Sequence, residues 1–428
     1  MTAVQLPVPG ATITAAESEW DTSYEWKAVV LLSLGFGLVG LDRLMILPMF
    51  PVIMKDLHLS YQELGQITGI LAIAWGISGF FTGRLSDRIG RRKVVVSAMI
   101  VFSVLVGITG LATGLGLLLL LRAIMGLADG AYTPPSIVAT LEASKPTRHG
   151  MNLGIQQTML PVFGVGLAPI FVTQMLHVVD WRWIFVLVTP PGLLIAFLLS
   201  RVLRDPSEQE EAVTTATRDL SEHKWTDIFL YRNIPLNMGG MLCWLTCLII
   251  TSAFLPSYFV EYLHLGLNQM SLILSAQGFG GGAGALILPF ISDRIGRKPV
   301  MIFSTIGAFV CYCLLIRVGA QPGVLFALLF GANFFGFGLI TLTVGPLSAE
   351  SVPAKLMATA SGAVICVGEV FGGGIAPVIA GSVASHFGIQ YIVHLAAGAM
   401  VIGFVISLCL RETAPRRLRA KFEPVPAV

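Results

Sequence analysis

The chain has 428 residues, of which 55% are hydrophobic and 12% are charged, with a formal net charge of +3. Soluble domains usually contain about 25% charged residues. Charged residues this scarce cannot cover the apolar surface of a water-soluble protein of this length. The composition therefore excludes an ordinary soluble enzyme and indicates a protein of the lipid bilayer.

Apolar runs long enough to cross a membrane as helices occur throughout the chain, because a spanning helix needs about 20 residues. The segment 1–26 before the first run is polar and acidic and contains neither Lys nor Arg, so we expect the first run to be a span and not a cleaved leader. The predicted spans are 27–50, 64–84, 94–113, 115–140, 151–178, 183–201, 236–260, 268–292, 299–318, 322–345, 358–382 and 388–410.

The basic residues alternate between loops and therefore predict the topology. One set of loops is rich in Arg and Lys, notably around 84–93, 201–232, 294–298 and 411–421. The alternate loops hold only Lys55, Arg182 and Arg317. We expect both termini to be cytoplasmic, with the protein in a bacterial inner (plasma) membrane. Because topology explains the basic residues, no nucleic-acid partner is expected.

Enzyme chemistry has no support in the sequence. The six cysteines lie in predicted helices and lack the spacing of a disulfide framework or a zinc site. We find no metal-ligand cluster, no nucleophile with a histidine partner and no phosphate-binding loop. We therefore expect no enzymatic activity, no cofactor and no metal, while a transport-like sensor stays open as an alternative.

The two parts of the chain repeat each other on either side of a long polar segment. Ser-Asp-Arg-Ile-Gly-Arg at 86–91 recurs at 292–297. Internal repeats of this kind are typical of secondary transporters, which hold substrate near the membrane midplane between the halves. The predicted organisation is an N-terminal tail (1–26), a six-helix half (27–203), a cytoplasmic linker (204–232), a second six-helix half (233–410) and a C-terminal tail (411–428).

The segment from Gly83 to Lys93 resembles the signature loop between helices 2 and 3 of the major facilitator superfamily, and 292–298 resembles its weaker second copy. The resemblance implies an all-α polytopic fold of 12 transmembrane helices in two pseudo-symmetric six-helix halves. In that family a charge cluster at this rim latches one half to the other, and the alternative is plain positive-inside topology. The residues assigned to this latch are Gly83, Asp87, Arg88, Arg91, Glu142, Asp293, Arg294 and Glu350.

Ionisable residues inside membrane spans are costly, so each one suggests a function. Arg122 and Asp129 lie about two helical turns apart on one face of helix 4. Asp42 and Asp129 both fall in the middle third of the membrane. The complete set is Asp42, Arg43, Arg122, Asp129 and Glu369, and the second-half counterparts of the first-half charges are Ile250, Thr251 and Phe337.

These residue types can couple protons to anions. A guanidinium presents a planar fork that fits a carboxylate. Burial disfavours an ionised aspartate whereas a neighbouring guanidinium favours it, so such a group changes protonation when a competing anion arrives. The alternative is a pair of structural ion bridges, Asp42–Arg122 or Asp129–Arg43.

The helix 1 segment Gly-Leu-Asp-Arg at 40–43 and the helix 4 segment 122–130 resemble the anion:cation symporter family, although Glu is usual at the position of Asp129. The resemblance implies that Arg43 binds the substrate carboxylate, that Asp42 and Asp129 carry protons, and that Arg122 tunes Asp129. Glu369 departs from the family pattern, in which a neutral amide is expected, and is interpreted as a third proton site, a substrate contact or the partner of an unidentified donor. We therefore list Arg43, Arg122 and Glu369 as substrate-binding candidates.

The predicted function is proton-coupled uptake of a small organic anion by a monomeric transporter that cycles by alternating access. A monoanion is favoured: a sugar acid, a small monocarboxylate or an aromatic acid. The alternative is proton-antiport efflux of drugs or metabolites, which the helix 5 segment 160–166 fits poorly because it lacks a Gly-Pro pair. An uncharged polyol substrate is disfavoured by Arg43 and Arg122.

Overall fold

The structure is a computed structural model that describes residues 21–145, 148–204, 225–353 and 356–414. Within these ranges, only the backbone is described for Gly83, Arg84, Asp87, Arg88, Trp225 and Ala358. Most of the predicted linker and of the C-terminal tail, and all but six residues of the predicted N-terminal tail, also lie outside it.

Twelve helices in the described residues are long and apolar enough to cross a membrane, which confirms the predicted number and the helical fold class. The helices of the N-terminal half are α1 (Thr22–Asp56), α2 (Tyr61–Ile89), α3 (Arg91–Thr109), α4 (Leu115–Ala143), α5 (His149–Leu176) and α6 (Trp181–Val202). The helices of the C-terminal half are α7 (Asn233–Tyr262), α8 (Leu267–Ile295), α9 (Arg297–Arg317), α10 (Pro322–Leu347), α11 (Thr359–Phe387) and α12 (Ile389–Cys409).

Helix α1 begins at Thr22, inside the segment 1–26 that the sequence assigned to the N-terminal tail. The Asp21 side chain caps this helix by accepting a hydrogen bond from the Tyr24 backbone N–H at 2.9 Å. Glu25, one turn further on, is completely buried and accepts a 2.9 Å hydrogen bond from Asn152 in α5. The first helical turn is therefore anchored to the bundle.

The repeated Ser-Asp-Arg-Ile-Gly-Arg motif ends one helix and begins the next in both halves. Gly90 and Gly296 have φ values of 99° and 115°, a backbone region that favours glycine over any other residue. Arg91 and Arg297 then start α3 and α9. The motif glycine is thus explained by the sharp turn between two spans.

The closest packing between the two halves is between α2 and α11 and between α5 and α8. Glycines lie where the helix backbones of the two halves approach each other most closely. A Cβ added to Gly278 in α8 would collide with the backbone of Gly166 in α5, and one added to Gly65 in α2 would collide with the Pro377 carbonyl in α11. Close approach through small residues is how membrane helices associate.

We call the bundle end with the turns at Gly90 and Gly296 the basic end, and the other the opposite end.

Candidate functional site

The centre of the bundle contains an ion pair that joins the two halves. Arg43 in α1 donates two hydrogen bonds to Glu369 in α11, Nη1 to Oε1 at 3.2 Å and Nη2 to Oε2 at 2.7 Å. The residues are 9% and 7% exposed. The Trp75 ring of α2 covers one face of the Arg43 guanidinium, with 4.4 Å between the guanidinium carbon and the ring centroid. The geometry is the bidentate fork of an arginine bound to a carboxylate.

A break in α1 presents Asp42 and Arg43 to this centre. The first helical segment ends at Leu44 and a second begins at Ile46, with a turn at Met45. Pro48 follows within a turn and has no backbone N–H to donate to the Leu44 carbonyl. Arg122 in α4 donates from Nη1 to the carbonyl oxygens of Asp42 at 3.1 Å and Arg43 at 3.3 Å, next to the break. A cation is favourable at the C-terminal end of a helical segment.

Asp129 lies nearby on α4 and is completely buried. Neither of its carboxylate oxygens has a hydrogen-bond partner among the described groups, and the same holds for Oδ1 of Asp42 and for Nε and Nη2 of Arg122. Asp42, Asp129 and Arg122 nevertheless interact electrostatically with one another. The two structural bridges considered from the sequence, Asp42–Arg122 and Asp129–Arg43, are not formed between the described side chains. Buried polar groups without partners are energetically costly, so this cluster is the candidate functional site of the described structure.

Glu369 lies at the start of a π-helical segment, Gly368–Ile375. Such segments often occur at functional sites in helices. Two glycines make room for the glutamate: a Cβ on Gly76 would lie 3.1 Å from its Cβ, and one on Gly373 would lie 2.9 Å from its Oε2. The contact between α2 and α11 is thus shaped around this carboxylate.

A small cavity of about 10 Å³ adjoins Arg43 and Arg122. Its remaining lining is apolar except for Thr68. The volume is enough for about one water molecule. A molecule the size of a sugar acid therefore enters the centre only if the two halves move relative to each other.

Hydrogen bonds also connect the halves at the opposite end. Tyr61 of α2 donates to Glu261 of α7, and His177 of α5 pairs with Asn268 of α8 at 3.1 Å. Like the Arg43–Glu369 pair, these hydrogen bonds join described residues of the two halves. Neither pair is predictable from the sequence, because neither lies in a motif. In this conformation the halves are therefore bonded at the centre and at the opposite end.

The predicted latch residues at the basic end form ion pairs within each half. Arg91 pairs with Glu142, and Arg297 pairs with Glu350 through hydrogen bonds of 2.8 and 3.2 Å. Asp293 contacts Arg297 at 2.6 Å. Each pair joins the helix after the motif to the basic end of α4 or α10, so a role between halves stays a prediction.

The remaining latch residues are Arg294, Gly83, Asp87 and Arg88. Arg294 is exposed and lies over the ring of Phe290, 4.6 Å from its centroid. Asp87 and Arg88 have side chains outside the described part of the chain, and only the backbone of Gly83 is described. The assignment of these residues therefore also stays a prediction.

Twelve spans in two related halves, with a buried charged cluster where the halves meet, define the class of membrane transporters. The model of the Major Facilitator Superfamily matches residues 32–371. The chain belongs to this superfamily and is an integral membrane protein.

Known proteins of similar sequence and structure agree with this placement. The chain is 28% identical over 393 residues to the sialic acid transporter NanX of Escherichia coli strain K12, covering 88% of this chain and 92% of that protein. It is 24% identical over 406 residues to the cis,cis-muconate transport protein of Acinetobacter baylyi, covering 91% and 95%. The fold is similar to the crystal structure of a bacterial homolog to the human lysosomal transporter Spinster in an inward-facing and occupied conformation, with a TM-score of 0.74, 15% identity, and coverage of 94% and 99%.

Proposed function

We propose that this protein is a proton-coupled symporter that takes up a small organic monoanion by alternating access. The observation that carries the proposal is the Arg43 guanidinium, which is buried at the interface between the halves and binds a carboxylate there in fork geometry. A substrate carboxylate would make the same contacts. Relatives that transport sialic acid and muconate support an organic acid as the cargo.

Asp42 and Asp129 are the proposed proton carriers. Both are buried beside guanidinium groups and have carboxylate oxygens without a hydrogen-bond partner among the described groups. Such a carboxyl group is sensitive to any change in nearby charge. Arg122 contributes positive charge and fixes the broken α1 through the Asp42 and Arg43 carbonyls. An anion that binds Arg43 therefore changes the electrostatic balance that decides whether these groups hold a proton.

The hydrogen bonds at the opposite end support alternating access, since Tyr61–Glu261 and His177–Asn268 must break when that end opens. By the positive-inside rule the basic end faces the cytoplasm, with both termini on that side. We further propose that the protein acts as a monomer in the inner membrane of a bacterium.

The test is proton uptake into proteoliposomes that enclose a pH-sensitive dye. Sugar acids, small monocarboxylates and aromatic acids are added outside to the wild type, to Arg43→Ala and to Arg317→Ala. Arg317 is an exposed arginine at the end of α9 and serves as the matched control. We expect acidification with one class of acid in the wild type and the control, and a rate at least about 30-fold lower in Arg43→Ala, because truncating one partner of a buried charged pair costs at least about 2 kcal/mol.

Two results would contradict the proposal. Acidification that persists in Arg43→Ala would move the anion site elsewhere. No response to any acid, with proton movement when cationic or neutral compounds are added, would establish efflux by antiport instead.

A further inference from the structure

Glu369 binds Arg43 in the way in which a substrate carboxylate is proposed to bind it. Both carboxylate oxygens accept from separate guanidinium nitrogens, and both residues are nearly inaccessible to water. Trp75 covers the guanidinium face, so the in-plane fork is the surface that a carboxylate can use. A bidentate fork binds one carboxylate at a time in this plane.

We propose that Glu369 is an internal competitor of the substrate: it holds Arg43 in the empty transporter, and the substrate anion displaces it together with one proton that Glu369 takes up. This inference rests on the proposed function and assigns one step of its coupling. Before the step, Glu369 is an ionised carboxylate on Arg43. After it, the substrate carboxylate occupies Arg43, and Glu369 is a neutral carboxylic acid whose proton came from the aqueous side.

The charges around the site favour this exchange over simple addition of an anion. The cluster contains three carboxyl groups, Asp42, Asp129 and Glu369, and two guanidinium groups, Arg43 and Arg122. With all five ionised it already has one surplus negative charge. A second surplus charge in a buried site is strongly unfavourable. Protonation of the displaced glutamate leaves the charge of the cluster unchanged when a monoanion binds.

The surroundings of Glu369 are otherwise neutral in the described structure. Trp75 and Gly76 of α2 lie beside the Arg43–Glu369 pair. Met241 and Leu245 of α7 lie against Gly368 and Gly373, the glycines on either side of Glu369 in α11. On α11 itself the titratable neighbour is the Cys366 thiol, which interacts electrostatically with the glutamate. Arg43 is therefore the group whose loss would leave Glu369 without a countercharge.

The backbone near Glu369 permits the movement. The residue is the second of the π-helical segment, and three consecutive glycines, Gly372 to Gly374, follow it within the segment. A Cβ at Gly373 would lie 2.9 Å from Oε2 of Glu369 and 3.1 Å from the Ala72 Cβ, so the carboxylate fits here because this position is glycine.

The test compares wild type, Glu369→Gln, Glu369→Asp and Glu63→Gln. Dissociation constants of sialic acid, benzoate, gluconate and acetate are measured by calorimetry on purified protein across a pH series. Glu63 is a matched control because it caps the start of α2, away from the cluster, and glutamine also serves in a capping box.

In the wild type and in Glu63→Gln, we expect affinity for the bound acid to fall as pH rises, because displacement of Glu369 consumes a proton. Glu369→Gln removes the charged competitor, so it should bind the acid about tenfold or more tightly at the alkaline end and with a flatter pH dependence. Glu369→Asp has a shorter reach to Arg43 and should bind more tightly than wild type while keeping the pH dependence.

Each other outcome is decisive. Glu369→Gln with wild-type affinity and pH dependence would remove the competitor role and leave the proposed function intact. Loss of binding in Glu369→Gln, with binding kept in Glu369→Asp, would make Glu369 a direct substrate ligand and overturn the proposal. If no acid binds the wild type at any pH, while Glu369→Gln is equally silent, the proposed function fails and this inference with it.

Discussion

The N-terminal half contributes Asp42, Arg43, Arg122 and Asp129 to the centre of the bundle, whereas the C-terminal half contributes Glu369. At the basic end the halves are instead alike: Arg91 pairs with Glu142 in one, and Arg297 pairs with Glu350 in the other. The symmetric pairs brace helices within each half. The charged residues that differ between the halves lie instead at the centre of the bundle, where the halves touch. The ion pairs common to both halves therefore stabilise the fold, and the charges that differ carry the proposed chemistry.

Asp129→Asn is expected to have the largest effect on this comparison, since it removes a charge found in one half only. We predict that uphill, proton-driven accumulation is lost while exchange of the anion across the membrane continues, because asparagine cannot carry a proton but leaves Arg43 in place. Uptake and counterflow of labelled substrate in proteoliposomes measure the two activities. Asp180→Asn is the control, since asparagine also caps the start of α6.

A variant that still accumulates substrate against its gradient would remove Asp129 from the coupling role. Loss of both accumulation and exchange would show that the residue is needed to bind the anion or to maintain the fold. Only a split between the two activities supports the assignment.

Loss of either ion pair at the basic end should destabilise the protein, but by different amounts. Arg297 has a side chain that is 6% exposed and also donates to Ser292, whereas the Arg91 side chain is 15% exposed. Arg297→Ala should therefore destabilise the protein by about 2 kcal/mol, and Arg91→Ala by less, because the more buried pair leaves the more costly unpaired carboxylate. Thermal unfolding in detergent tests the order, which would be refuted by a larger loss in Arg91→Ala.

The smallest effect is expected at the opposite end, where Tyr61→Phe removes the hydrogen bond to Glu261 and keeps the ring. One such bond contributes about 1 kcal/mol, so the closed opposite end should become about fivefold less favoured. Accessibility of a cysteine placed at Ser271, a buried residue of α8 near the opposite end, to a membrane-impermeant reagent reports the change. Tyr391→Phe, an exposed tyrosine at the start of α12, is the control. Unchanged labelling would show that this bond does not hold the end closed.

The number of spans, the repeat and the positions of the intramembrane charges were all predictable from the sequence. Each depends on local rules: apolar runs of membrane length, a repeated motif and the cost of a charge in lipid. Gly90 and Gly296 illustrate why this works, since the positive φ that they supply is required by the turn between two spans.

The partners of those charges were not predictable, because they depend on how distant helices pack. The sequence offered Asp42 or Asp129 as ion-pair partners, yet the structure gives Arg122 to the carbonyls of the broken α1 and gives Arg43 to Glu369, 326 residues away. Glycines at 76 and 373 are recognisable as the reason only once α2 and α11 are seen to meet there. That charges lie within the membrane follows from hydropathy along the chain and needs no knowledge of the fold. Which of these charges meet depends on the packing of the helices, because two halves separated by a long linker pair through shape and not through sequence spacing.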